Sequence, residues 1–157
     1  MRKKIEKIKK KYAGYISLKP INGVIFPSYI QNQTNKNFIS NELKGAFYLS
    51  TNENEYSENR IVLNSLINDN NKIRGIVMMS AFSLPENKDL VKKLYKDLIK
   101  RKKELHFIFE DFSFKKRGDE ENIEDYLMFK SKFFVGTKST LNQLEKKFFI
   151  NKNFKFI

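Results

Sequence analysis

Four apolar runs divide the chain, and the stretches between them have helical rather than alternating periodicity. The runs are Ala13-Gly14-Tyr15-Ile16-Ser17-Leu18, Ala46-Phe47-Tyr48-Leu49-Ser50, Ile73-Arg74-Gly75-Ile76-Val77-Met78-Met79 and Glu104-Leu105-His106-Phe107-Ile108-Phe109-Glu110. Each has the length of a strand, and the third is apolar enough to be covered on both faces. Between the first two, Pro27-Ser28 opens a helix running to about Leu43, with Ser28 as its cap and Ile30, Phe38 and Ile39 facing inward. A second helix presents Val62, Leu63, Leu66 and Ile67 on one stripe and stops at Asp69-Asn70-Asn71. The third has the clearest pattern: Leu90, Val91, Leu94, Tyr95, Leu98 and Ile99 recur on one face with lysines opposite, and Pro85 suits its first turn.

Strand and helix alternate with short connections, which predicts parallel strands and helices on both sheet faces. The expected fold is α/β, a three-layer open sandwich around a mostly parallel sheet of four to five strands, resolvase-like or flavodoxin-like. Beyond the charged loop Lys115-Lys116-Arg117-Gly118-Asp119, residues 120–130 suit a short helix. Another follows with Thr140 and Gln143 spaced as a capping box, and Asn153-Phe154-Lys155-Phe156-Ile157 suits an edge strand. The expected organisation is a basic tail over 1–12, one domain over 13–130 and a helical extension over 131–157 packing on it.

Composition removes several chemistries. The chain of 157 residues has no Cys, so disulfides, thiolate nucleophiles and Cys-ligated metals are excluded, and its one His, His106, excludes a multi-His site within the chain. An all-carboxylate magnesium site stays open, but no metal and no cofactor is implied. Met1-Arg2-Lys3-Lys4 is followed by alternating charge instead of an apolar run, and no stretch is long enough to span a bilayer, so the expectation is a cytoplasmic protein.

Charge is the strongest compositional signal. Of the formal +13, residues 1–12 hold seven cations against Glu6 and residues 92–103 hold seven against Asp97. The two segments therefore account for nearly all of it. Lys outnumbers Arg 26 to 5 and Asn is abundant, a mixture that codon bias in an AT-rich genome produces unaided. A solvated lysine face plus a basic tail is the simpler reading, with non-specific nucleic-acid binding as its functional counterpart.

In open parallel sheets, ligands bind beyond the C-terminal strand ends. That rule points to Ser17, Lys19, Ser50, Glu53, Tyr56, Ser80, Ser83, Glu110 and Asp111. The expected ligand site takes Ser17, Lys19, Ser50, Glu53, Tyr56, Ser83 and Glu110 from these, and Gln31 joins them if the first helix starts beside strand one. Hydroxyls, one amine and carboxylates in such a set suit a sugar or sugar phosphate, with Lys19, Glu53 and Glu110 as candidate catalytic groups. Polar loops there also arise from solvation alone. His106 sits mid-strand and reads as structural. No Gly-x-Ser-x-Gly elbow, Gly-x-Gly-x-x-Gly fingerprint or Walker loop occurs. The acidic run Glu120-Glu121-Asn122-Ile123-Glu124-Asp125 reads as a solvated helix start.

Gly14-Tyr15-Ile16-Ser17, Asn22-Gly23, Pro27 leading to Gln31-Asn32, Leu49-Ser50, Glu55-Tyr56, Gly75-Ile76-Val77, Phe82-Ser83-Leu84-Pro85-Glu86, Glu104-Leu105-His106-Phe107 and Ile123-Glu124-Asp125 resemble the sporadic carbohydrate cluster protein family. The resemblance implies a role in bacterial surface-polysaccharide biosynthesis, with no catalytic residues to transfer. More distantly, the tyrosine of strand one, Gln31, Arg60 and the strand-turn-helix from Ile76 to Leu94 resemble the catalytic domain of serine recombinases. That resemblance supports the fold and argues against the activity. Ser17 and Lys19 stand where those enzymes place an arginine and then the serine nucleophile, and Phe82-Ser83-Leu84-Pro85-Glu86 replaces their Asp-Arg-Leu-x-x-Arg pattern. The expected function is therefore a cytoplasmic factor of surface-carbohydrate biosynthesis that binds or modifies a sugar, sugar phosphate or nucleotide sugar. The alternatives are a nucleic-acid-binding or regulatory resolvase-like module without recombinase activity, and a non-catalytic partner-binding subunit.

Overall fold

The periodicity resolves into a five-stranded sheet with helices on both faces, seen in a computed structural model that describes residues 8–21, 23–53, 57–70 and 72–125. In chain order the elements are β1 (Lys11–Ser17), α1 (Ser28–Asn41), β2 (Ala46–Glu53), α2 (Ile61–Asn68), β3 (Gly75–Met78), a 3-10 turn (Ala81–Ser83), α3 (Lys88–Arg101), β4 (Glu104–Phe107) and β5 (Phe112–Phe114). The order across the sheet is β2-β1-β3-β4-β5. The first four strands are parallel, and β5 pairs antiparallel with β4.

Alternation along β1 sends successive side chains to opposite faces. Tyr12 packs with Ile39 of α1 and Val77 of β3, edged by Phe38 and Phe47. Tyr15 points to the other face and reaches Glu53, the last residue of β2, whose carboxylate accepts N–H groups of α2, and α2 packs on α3. Leu63, Leu66 and Ile67 of α2 and Leu94, Tyr95 and Leu98 of α3 are buried, as their stripes predict. Tyr95 stacks on Phe114 at 4.7 Å between centroids. Two glycines permit close approach. A Cβ on Gly75 would lie 2.6 Å from the Glu104 carbonyl oxygen, and one on Gly14 would lie 3.3 Å from Asn35 Cβ.

Several boundaries differ from the pattern. Pro27, not Ser28, precedes the first turn of α1, and no side chain caps it. α3 begins at Lys88, three residues beyond Pro85, because Asn87 supplies the cap through Oδ1 to the N–H groups of Asp89 and Leu90. Ile99 is exposed despite lying on the stripe. β4 stops at Phe107, and a turn with Asp111 in the left-handed region (φ 55°) folds Phe112–Phe114 back beside it. The apolar Ile108-Phe109 is thus turn, and β5 supplies the fifth strand. Residues 119–125 are helical. Helix residues beyond 125, the capping box at Thr140 and Gln143, the edge strand at 153–157 and most of the basic tail lie outside the described residues. So does the expected packing of residues 131–157. The chain divides into two units after Ile123. Among the described residues no helix is long and apolar enough to cross a membrane.

Candidate functional site

β1 ends at the switch point of the sheet, where β2 lies to one side and β3 to the other. Gln31, on the first turn of α1, is buried beside this end. Its Oε1 accepts the Ser17 N–H at 3.2 Å, and its Nε2 donates to the Ser17 and Phe26 carbonyls, each at 2.8 Å. The amide thus continues the backbone pairing of β1 where the sheet gives out. Ser17 Oγ accepts the Lys19 N–H at 3.2 Å. Lys19 then crosses the crevice: its Nζ donates to the Leu84 carbonyl at 3.3 Å and pairs with Glu86 at 3.1 Å.

At the end of β2, Glu53 is 3% exposed. Its Oε2 accepts the N–H groups of Val62 and Leu63 at 3.0 and 3.1 Å and the Tyr15 hydroxyl at 3.2 Å. α2 needs this help because Arg60, at its N-cap position, lies in the left-handed region (φ 46°) and gives no side-chain cap. The Tyr15 hydroxyl is pushed far above its ordinary range by burial and then by the Glu53 charge, against the pull of Arg60, so it stays a proton donor. The Arg60 guanidinium is buried as well and donates to the Ser83 carbonyl at 3.0 Å and the Ser57 carbonyl at 2.9 Å.

β3 and β4 contribute a third carboxylate. Glu110 Oε1 accepts the Ser80 hydroxyl at 2.5 Å and Oε2 accepts the Ala81 N–H at 3.1 Å, which fixes the turn after β3. Ser83 is buried there and offers its carbonyl to Arg60. A fourth carboxylate, Glu58, accepts the N–H groups of Glu86 and Asn87 just before α3. Its slight burial, which alone would raise its pKa, is outweighed by these bonds and by Arg60 and Lys19, and the carboxyl is held below its ordinary range.

Ser17, Lys19, Gln31, Glu53, Ser83 and Glu110 therefore stand at the C-terminal edge of the sheet, and all but Lys19 are buried. Ser50 is apart from them: β2 runs on to Glu53, which leaves Ser50 mid-strand and exposed. Tyr56 lies outside the described residues. Glu53 receives two backbone N–H groups at the start of α2 and Glu110 receives that of Ala81 in the turn after β3, so both carboxylates act as caps. Among these residues no hydroxyl is both paired with a base and open to solvent. Arg60 and Glu58 belong to this edge too, although the strand-end rule does not select them, and Ser80, the expected end of strand three, joins them. Arg60 had a signal, because an arginine in so lysine-rich a chain marks a place where the planar fork is used.

His106 is fully buried in β4. Its Nε2 lies 3.1 Å from Glu104 Oε2 and its Nδ1 lies 2.7 Å from Ser113 Oγ. Glu104 also accepts Arg74 Nε at 2.8 Å, and its carboxyl falls to about 2, chiefly through the His106 bond, then Arg74, with burial opposing. An ionised Glu104 accepts the hydrogen of Nε2, and Nδ1 meets the Ser113 hydroxyl. The series Ser113–His106–Glu104 has the order of a hydrolytic triad, but the imidazole has no exposure. It ties β5 to β4 instead. Among the described residues no group of three or more His, Asp or Glu side chains is placed to hold a metal ion.

No family profile matches the chain, and no curated protein sequence matches it. The resemblance to the carbohydrate cluster family thus finds no support. Among solved structures the chain is similar to the N-terminal catalytic domain of TP901-1 integrase, with 15% identity and a TM-score of 0.56, over 88% of this chain and 98% of that one. At that identity the likeness concerns the fold alone. The chain has the resolvase-like α/β architecture of a serine recombinase catalytic domain.

Proposed function

We propose that this chain is a resolvase-like module that binds nucleic acid and does not cut or rejoin it. The observation that carries the reading is Lys19. It occupies the place after strand one where the recombinase pattern requires a nucleophilic serine, and its Nζ is held across the crevice by the Leu84 carbonyl and Glu86. Phosphoryl transfer needs an attacking oxygen and a cluster of cations around the phosphate. The nearest hydroxyl, Ser17, is buried and accepts a backbone N–H. Arg60, the buried arginine of this edge, donates to backbone carbonyls. The binding half of the reading is supported by the net charge of +13 and by the name of the similar solved domain, an integrase.

The sugar-phosphate reading addresses the same C-terminal edge, whose carboxylates already receive backbone N–H groups, and no observation favours it over the first. The test is an incubation with supercoiled plasmid and magnesium, alongside a titration of labelled DNA at rising salt. Binding that weakens steeply with salt and leaves the plasmid supercoiled is the expected outcome. Relaxation or nicking of the plasmid, lost in Ser17→Ala, would overturn it.

A further inference from the structure

Lys9, Lys10 and Lys11 of the first lysine-rich segment and Lys102 of the second, some ninety residues apart in sequence, line one groove at the opposite end of the sheet. Lys9, Lys10 and Lys11 lead into β1, while Lys72 and Arg74 lead into β3, its parallel neighbour. The Arg74 N–H donates to the Lys11 carbonyl at 2.6 Å, which holds the starts of these strands side by side. α3 runs back toward this end before β4 begins, and it finishes at Lys102, in the left-handed region (φ 54°). A groove of about 590 Å³ lies among these residues. Six of its eight lining residues are cations (Lys9, Lys10, Lys11, Lys72, Arg74, Lys102) and the other two are isoleucines.

Among the described residues no carboxylate lines the groove. The acid at its margin is Glu104, which Arg74 meets through Nε while its side chain stays 44% exposed. Six like charges around one concavity repel each other, and a ligand with several negative charges relieves that repulsion. A single phosphate neutralises two of them at most. A run of phosphates at regular spacing matches the set better. Lys11 Nζ also lies 5.6 Å from the ring centre of Tyr48, which is 49% exposed, so an aromatic face accompanies the cations. Aromatic faces beside a basic groove serve bases as well as phosphates.

We infer that this groove, at the N-terminal edge of the sheet, binds the phosphodiester backbone of nucleic acid. The inference rests on the nucleic-acid reading above and adds to it the surface used, which lies at the other end of the strands from the crevice crossed by Lys19.

The experiment measures fluorescence anisotropy of a labelled duplex of about 20 base pairs, and of one of its strands, against the full chain between about 50 and 200 mM salt. If about five phosphates are engaged, the affinity falls several-hundred-fold over that range. The triple variant Lys9→Glu/Lys72→Glu/Lys102→Glu is expected to bind at least about tenfold more weakly and with a salt slope shallower by about three. The charge-matched variant Lys88→Glu/Lys92→Glu/Lys96→Glu changes exposed lysines of α3 that do not line the groove, and it is expected to keep the wild-type slope. Circular dichroism checks that each variant folds, and glutamine replaces glutamate where one does not. If the wild type binds neither probe, the nucleic-acid reading fails and takes the groove with it. If it binds but both triple variants lose equally, the groove assignment fails and the reading stands. Binding to phosphatidylserine vesicles that is lost in the groove variant while binding to both nucleic-acid probes is kept also overturns the assignment.

Discussion

Acid should unfold this protein through one buried carboxyl more than through its many exposed ones. Glu104 accepts the His106 ring N–H and the Arg74 Nε–H, and its carboxyl lies at about 2 instead of the ordinary 4.5. A carboxyl depressed by folding stabilises the native state above its unfolded value and loses that contribution as pH falls toward its folded value. At about 1.4 kcal/mol per pH unit, the gap from 4.5 to about 2 gives roughly 3 kcal/mol in all. Roughly 2 kcal/mol of this is gone by about pH 3. The assay is urea unfolding followed by circular dichroism at about pH 7 and about pH 3, for the wild type and Glu104→Gln. The variant starts less stable, because Arg74 and His106 lose their partner, but its further loss on acidification should be about 2 kcal/mol smaller than that of the wild type. Equal losses in the two proteins would refute the argument. If Glu104→Gln does not fold, the Glu104 carboxyl can be titrated in the wild type by NMR, and a midpoint near 4.5 would refute it equally.

Other substitutions separate caps from bystanders. Glu53→Ala should lower stability by about 2 kcal/mol or more, because two N–H groups of α2 and the buried Tyr15 hydroxyl lose one acceptor, whereas Lys19→Ala, whose partner Glu86 is exposed, should cost less than about 1 kcal/mol. Equal midpoints in urea for these two variants would contradict the capping role. Gly75→Ala places a Cβ 2.6 Å from the Glu104 carbonyl oxygen, so β3 and β4 must separate, and thermal melting should show a loss of about 1–3 kcal/mol. An unchanged melting temperature would show that this edge of the sheet is looser than the structure places it.

The parts of the fold that were legible in sequence are those where burial and periodicity coincide. The β3 run and the α3 stripe carry their own two-sided and one-sided burial in the pattern of residues. β5 was not legible, because Phe112-Ser113-Phe114 follows an apolar stretch that reads as more of β4, and the turn between them uses Asp111 in the left-handed region where glycine would have announced it. The C-terminal edge was legible as a place, but not in its chemistry. A glutamate at a strand end looks the same in sequence whether it faces solvent or accepts backbone N–H groups, and Glu53 accepts those of the next helix while Glu110 accepts that of Ala81 in the turn after β3. Lys103 reads in sequence as one more solvated lysine. It is in fact buried, with its amine donating to the Leu66 and Asp69 carbonyls at 2.7 and 3.2 Å, and burial, then Arg101, lowers its pKa against Asp69.

The two ends of the sheet show why one architecture can keep its shape while its chemistry changes. Parallel strands deliver each following helix with its N-terminus near the C-terminal edge, so that edge always presents orphan N–H groups and positive dipole ends. A ligand phosphate can satisfy them, and so can the chain's own carboxylates. Here Glu53, Glu58 and Glu110 take that place, and Lys19 closes the gap between β1 and the turn after β3. Self-capping of this kind holds the loops in one arrangement and removes the donors that a reacting substrate would have to find. At the other edge the parallel strands begin, and the cations of two distant segments are set close together with no carboxylate among the described residues lining their groove. Carboxylates thus cap the edge where enzymes of open parallel sheets carry out their chemistry, and the cation-lined groove lies at the edge they leave idle.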